Sequence, residues 1–80
     1  MDKKEVLKIL TDNQLTNCEK LIMLYLLSFN KEEINITGKA MAATILISEH
    51  NMVYKLKNLV NKGRIRVLGH KETRRIVVIK

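Results

Sequence analysis

The sequence has few of the residues that form disulfide-linked, metal-binding or membrane-spanning folds. Its 80 residues include one cysteine, three glycines, three aromatic residues, no proline and no tryptophan. The single Cys18 cannot form an internal disulfide, which favours a reducing compartment. The longest apolar run, Leu21 to Leu27, is too short to span a bilayer, and the N-terminus does not have the pattern of a signal peptide. We therefore expect a cytoplasmic protein that is not associated with a membrane.

The residue patterns of catalysis are also missing. Cys18, His50 and His70 lie in three different predicted elements, and their spacing is not that of metal ligands. There is no glycine-rich phosphate loop, and residues 39–80 contain no pair of acidic residues arranged for general acid–base chemistry. The sequence predicts neither an enzyme nor a cofactor.

Positive charge is present, and it is concentrated in the C-terminal half. Residues 1–38 carry five lysines and six acidic residues, a net charge of −1, whereas residues 39–80 carry ten Lys or Arg and two acidic residues, a net charge of +8. With 46% hydrophobic residues, the chain is expected to fold as one domain over residues 1–80. One-sided positive charge on such a domain is typical of proteins that bind nucleic acid, although a basic soluble protein can also show it.

Capping signals predict two N-terminal helices. Asp2 begins a helix within residues 1–11, and the capping box Thr16-Asn17-Cys18-Glu19 begins a second helix that ends near Phe29. The second helix is apolar nearly all round, so it is expected to be buried on two sides. Its main stripe is predicted to be Cys18, Leu21, Ile22, Tyr25, Leu26 and Phe29, with a second patch at Met23, Leu24 and Leu27. The first helix or a partner subunit would cover the second patch.

The rest of the chain predicts a helix-turn-helix followed by a hairpin. Ile34–Ile36 alternates as a very short strand, and Thr37 and Ser48 are candidate caps for two helices within residues 37–62. Residues 64–79 contain two β-branched segments separated by a polar turn, which is typical of a two-stranded β-hairpin. The predicted class is therefore α+β, with three to four helices and a C-terminal hairpin.

The last predicted helix has an aliphatic face and a polar face. At 100° per residue, one side carries Met52, Val53, Leu56, Leu59 and Val60. The opposite side carries His50, Tyr54, Lys57 and Asn61, and Asn51 flanks this row. A helix with such outward side chains fits the major groove of DNA, although many amphipathic helices are simply solvated on their polar face.

The order of elements resembles that of the winged helix-turn-helix family. The segments that carry the resemblance are LTNCEKLIMLYLL, TGKAMAATILIS and SEHNMVYKLKNLVNKGRI, and the match covers about residues 15–79. They are similar to the first helix, the second helix with its turn, and the recognition helix leading into the wing. The chain departs from the family at Leu46, where glycine is usual. Because left-handed backbone is costly for leucine, we expect a wider or differently shaped turn.

The resemblance implies binding to duplex DNA through the recognition helix and the hairpin wing. The recognition helix would enter the major groove, and the wing would lie along the backbone or the minor groove. The implied DNA-binding residues are Thr37, Lys39, His50, Asn51, Tyr54, Lys57, Lys71, Arg74 and Arg75.

Several roles fit a small DNA-binding protein of this kind. Abundant Lys, Ile and Asn suggest an AT-rich bacterial, plasmid or phage genome. Stand-alone winged helices of that origin resemble transcriptional repressors or the centromere-binding adaptors of plasmid and phage partition, which can work with a filament protein. A homodimer is expected in either role, because one recognition helix touches few base pairs. The alternative is a winged-helix module that binds protein within a larger replication or transcription assembly.

Overall fold

The computed structural model describes residues 2–69 and 74–79, which form four helices and a three-stranded sheet. In chain order these are α1 (Lys3–Leu10), α2 (Asn17–Ser28), β1 (Glu33–Ile34), α3 (Gly38–Ile45), α4 (Glu49–Asn61), β2 (Ile65–Leu68) and β3 (Arg75–Val78). The predicted α+β class is confirmed. The short strand covers Glu33–Ile34, so it begins one residue before the predicted strand and ends two residues earlier.

Side-chain caps start the helices where the sequence predicts them. The Thr16 hydroxyl accepts a hydrogen bond from the Glu19 amide at 3.2 Å, and Glu19 Oε1 accepts one from the Thr16 amide at 2.8 Å. This reciprocal pair is the predicted capping box of α2. Asp2, Thr37 and Ser48 cap α1, α3 and α4 through their side-chain oxygens. Local hydrogen bonding therefore sets the first residue of every helix.

The sheet is antiparallel, in the order β1-β3-β2. Ile76 at its centre pairs with Ile34 on one side and Val67 on the other. Because opposite residues share a face, these three side chains point to the same side of the sheet. Ile34 and Ile76 are buried there, and Val67 packs against the core. The other face of the sheet carries charged residues, including Arg66 and Arg75.

The core-facing side of α2 differs from the predicted one. Ile22 and Leu26 are buried as expected, but Leu21 is 54% exposed, and Met23 from the predicted second patch is buried. The side chain of Glu19 is fully buried on the same side as these residues. The α1 helix packs against α2 and buries Ile9, which lines a groove with Met23 and Leu27, so α1, one of the two covers expected for the second patch, lies beside that patch.

The aliphatic face of α4 is narrower than predicted. Met52, Leu56 and Leu59 are buried, whereas Val53 is 49% exposed and Val60 is 41% exposed. The two valines lie at the edge of the apolar arc, on the side of α4 that faces β2 and Arg74 across a groove. Their prediction as core residues was wrong, because both valines are substantially exposed beside this groove.

Among residues 2–69 and 74–79, no helix has the length and apolar character needed to cross a membrane.

Candidate nucleic-acid interface

The polar row predicted on α4 lies in solvent. His50, Tyr54 and Lys57 are exposed on the side of the helix opposite the buried Met52, and Asn51 is exposed beside this row. The rings of His50 and Tyr54 stack edge to face, with centroids 4.9 Å apart and an interplanar angle of 84°. This contact follows from their i, i+4 spacing. Within the described residues, the side-chain amide of Asn51 makes no hydrogen bond, so its donor and acceptor remain available.

The first turn of α3 forms a second part of the same region. The Thr37 hydroxyl accepts a hydrogen bond from the Ala40 amide at 3.1 Å, and Lys39 is exposed beside it. A Cβ placed on Gly38 would lie 3.6 Å from Nη1 of Arg74, so that guanidinium lies against the start of the helix. Free amide groups and the helix dipole make this end electropositive, and the cation of Arg74 adds to it.

Arg74 also connects α3 to α4. Together with Lys57, it lines a groove between α4 and β2. The structure therefore brings together the polar face of α4, the start of α3 and the residue that precedes β3. Seven of the nine predicted DNA-binding residues lie in this region, which we call the basic face: Thr37, Lys39, His50, Asn51, Tyr54, Lys57 and Arg74.

The other two predicted residues lie elsewhere or outside the described residues. Arg75 is on the outer face of the sheet, where its Nη1 lies 3.4 Å from Oε2 of Glu33 on the neighbouring strand. Both side chains are about half exposed, so the pair is well solvated. Lys71 falls between the two described segments.

Two cations of the basic C-terminal half are used inside the protein. Lys62 Nζ donates to Oε1 of Glu19 and to the carbonyl oxygen of Gln14, each at 2.7 Å. Arg64 forms an ion pair with Asp12. These contacts attach the C-terminal end of α4, and the residues that follow it, to the loop before α2 and to the first turn of α2. They are contacts that the sequence did not predict, and the only signal for Glu19 was its place in the capping box.

Both carboxylates have a lowered pKa. Burial raises the pKa of Glu19, but hydrogen bonds from Lys62 and Thr16 outweigh burial and bring the pKa below its ordinary value of 4.5. The hydrogen bond from Arg64, helped by the amide of Gln14, lowers the pKa of Asp12 below 3.8. Both groups are therefore charged near neutral pH, as their cationic partners require.

The turn between α3 and α4 contains a leucine in left-handed conformation. Leu46 has φ 65° and ψ 45°, and it is 88% exposed. The amide of the next residue, Ile47, reaches back to the carbonyl oxygen of Ala42 at 3.0 Å. Leu46 takes the left-handed backbone conformation that glycine ordinarily provides, so the expectation that leucine would avoid this conformation was wrong. The conformation carries a cost in backbone strain for leucine.

Comparison of the chain with protein-family models, curated proteins and solved structures finds no match. What the protein does is therefore inferred from its own residues, above all those of the basic face.

Proposed function

We propose that the chain is a winged-helix protein that binds duplex DNA in a sequence-dependent way and has no catalytic activity. In this proposal, α4 is the recognition helix and the β2–β3 pair belongs to the wing. The observation that supports this proposal is that α4 has one side buried in the core and an opposite, polar side exposed to solvent. Met52, Leu56 and Leu59 fix one side in the core, while the opposite side presents polar side chains to solvent. A helix held in this way can enter the major groove without disturbing the core.

The side chains of α4 suit both base reading and backbone contact. An asparagine such as Asn51 can form two hydrogen bonds with adenine, and Tyr54 can pack against a thymine methyl or donate to a phosphate. Lys57, one turn further along, would approach the backbone. The ring contact at 4.9 Å between His50 and Tyr54 favours one direction of the tyrosine before DNA binds.

The start of α3 and Arg74 would hold a phosphate of the same groove. Helix N-termini bind anions through their free amides, and contacts of this kind fix the register of a protein on DNA. Thr37 and Lys39 can add a hydroxyl and an ammonium group at that point, next to Arg74. Phosphate contacts would therefore lie beside the reading helix.

We further propose that the protein acts as a homodimer, as a repressor or as a partition adaptor that presents DNA to a filament protein. Two recognition helices would double the length of DNA that is read. Leu7 and Leu10 of α1 are about half exposed, and they supply apolar surface away from α4. Selection of binding sites from random duplexes separates the two roles, because a palindrome favours a repressor and tandem repeats favour an adaptor.

The decisive experiment is an alanine scan of α4 against selected and scrambled duplexes, read by fluorescence anisotropy. Asn51→Ala and Tyr54→Ala should each cost about 1–3 kcal/mol on the selected duplex, a loss of about 5- to 150-fold, and little on the scrambled one. Asn61→Ala is the matched control, because Asn61 is exposed at the far end of the same helix. If both variants keep the preference, α4 does not read the bases. If no duplex binds at low salt, the protein-binding alternative takes its place.

A further inference from the structure

A groove of about 270 Å³ runs between α4 and β2, with Arg74, the residue that precedes β3, in its wall. Its walls combine aliphatic and cationic side chains: Val53, Leu56, Lys57, Val60, Asn61, Val67 and Arg74. We propose that this groove binds an acidic amphipathic segment of a partner protein, and that the bound segment competes with DNA. The competition rests on the proposed function, whereas binding in the groove does not.

The apolar part of the groove has the form of a docking site for a peptide. Val53 and Val60 are seven residues apart on α4, about 10 Å along the helix axis, and both are substantially exposed. This spacing matches the anchor positions of an amphipathic helix lying in a hydrophobic groove. The volume is slightly below the range of about 300–1,000 Å³ typical of small-molecule pockets, which favours a few side chains of a partner over a compact ligand.

The cationic side chains of the groove indicate that the partner segment carries negative charge. Among residues 2–69 and 74–79, Lys57 and Arg74 line it, no acidic residue does, and neither cation has an ion pair. In contrast, Lys62 and Arg64 each have a carboxylate within the fold. Acidic side chains beside the apolar anchors of a partner would complete the charge balance.

DNA alone would contact the cationic residues of this groove and leave its apolar residues uncovered. Phosphates would neutralise Lys57 and Arg74, but a sugar-phosphate backbone offers little apolar area to cover Val53 and Val60. A segment that carries both aliphatic and carboxylate groups satisfies all four residues. Since Lys57 and Arg74 cannot hold carboxylates and phosphates at the same time, binding of the segment would release DNA.

The test begins with a library of random displayed peptides of about 15 residues, long enough for four helical turns. The library is selected on the full chain, after counter-selection on a Val53→Ser/Val60→Ser variant. The enriched peptides should carry aliphatic residues at intervals of three and four, flanked by Asp or Glu. By anisotropy, a labelled enriched peptide should bind the double variant at least tenfold more weakly and a Leu21→Ser variant as well as the original chain. Leu21 is a matched control because it is an exposed aliphatic residue on α2.

The remaining arms separate this proposal from DNA binding. The double variant should bind duplex DNA normally, whereas Lys57→Gln and Arg74→Gln should weaken binding of both peptide and DNA. If Ser at both sites unfolds the protein by circular dichroism, the nearly isosteric Val53→Thr/Val60→Thr replaces it.

Three results would overturn the groove assignment. They are enriched peptides without acidic residues, equal loss of peptide and DNA binding in the double variant, and a dimer that dissociates when Val60 is changed. If the peptide binds as expected but no duplex does, peptide binding in the groove is supported, whereas competition with DNA is refuted together with the proposed function.

Discussion

Replacing Lys62 with methionine would leave the buried carboxylate of Glu19 without its cation. Oε1 of Glu19 would keep the hydrogen bond from the Thr16 amide at 2.8 Å and lose the one from Lys62 Nζ at 2.7 Å. Oε2 is buried and accepts no hydrogen bond within the described residues, so it offers no compensation. Removing one partner of a buried pair costs about 3–5 kcal/mol. Because the side chain of Lys62 is 33% exposed, we expect the lower end, about 3 kcal/mol.

This loss is large for a domain of 80 residues, whose total stability is about 4–12 kcal/mol. The melting temperature should fall by about 12–24 °C. Urea unfolding followed by far-UV circular dichroism measures the change. Lys57→Met is the matched control, since it makes the same substitution on an exposed lysine of α4 and should change stability by less than about 0.5 kcal/mol.

The change of stability with pH provides a second test of the Lys62→Met prediction. The pKa of Glu19 is lowered in the folded protein, so its contribution to stability is present above pH 4.5 and is lost as the pH falls through the folded value. Without Lys62, burial becomes the dominant influence and raises the pKa. The variant should therefore lose stability as the pH rises from about 4.5 towards neutrality, and Glu19→Gln added to it should restore part of the loss. A Lys62→Met protein as stable as Lys57→Met at pH 7 would refute the reasoning.

Further substitutions test the turn, the second ion pair and the hairpin. Leu46→Gly should raise the free energy of unfolding by about 1 kcal/mol, because left-handed backbone strains leucine and the exposed side chain loses no burial. A lower free energy of unfolding for the variant, measured by urea denaturation, would contradict this. The original chain should lose stability below pH 3.8, and Arg64→Gln should reduce this loss, because the lowered pKa of Asp12 depends mainly on Arg64. If the variant has the same urea midpoints as the original chain at neutral and at acidic pH, Arg64 does not have this role. Arg74→Ala should weaken binding to selected and scrambled duplexes by similar factors, and by more than Arg75→Ala, because Arg75 lies on the outer face of the sheet and is not part of the basic face. Anisotropy with each duplex measures both losses, and a loss confined to the selected duplex would contradict this role for Arg74.

The sequence predicted the features that depend on neighbouring residues. A capping box needs only Thr16 and Glu19, three positions apart, and the outward row of α4 follows from helical periodicity. Both were found as expected. The pairing of β1 with β3 was not predicted, since Glu33 and Val77 are far apart in the chain. Pairing of that kind depends on the whole fold.

The core-facing side of α2 was beyond local reasoning. When apolar residues surround a helix, periodicity does not select a side, and the burial of Glu19 on the core-facing side has no local signal. Its partner Lys62 is 43 residues away, and Arg64 is 52 residues from Asp12. Nothing in the neighbourhood of a capping glutamate indicates that it will be buried with a distant lysine.

The same distant pairs change the interpretation of the positive charge. Of the ten cations in residues 39–80, Lys62, Arg64 and Arg75 pair with acidic residues of the first 38 positions. Arg66 lies on the outer face of the sheet. Within the described residues, the cations that remain near α3 and α4 without an ion pair are Lys39, Lys55, Lys57 and Arg74.

These four cations set the expected salt dependence of DNA binding. If each neutralises one phosphate, log K should fall against log salt with a slope of about −3.6 per bound chain, and contact by Lys71 would make it about −4.5. Lys57→Gln should reduce the slope by about 0.9, whereas Arg64→Gln should leave it unchanged because Arg64 is engaged with Asp12. Titrations of each protein against one duplex at several salt concentrations measure the slopes. A slope near zero would remove phosphate contact from the proposal, and a reduced slope for Arg64→Gln would mean that its ion pair opens on DNA.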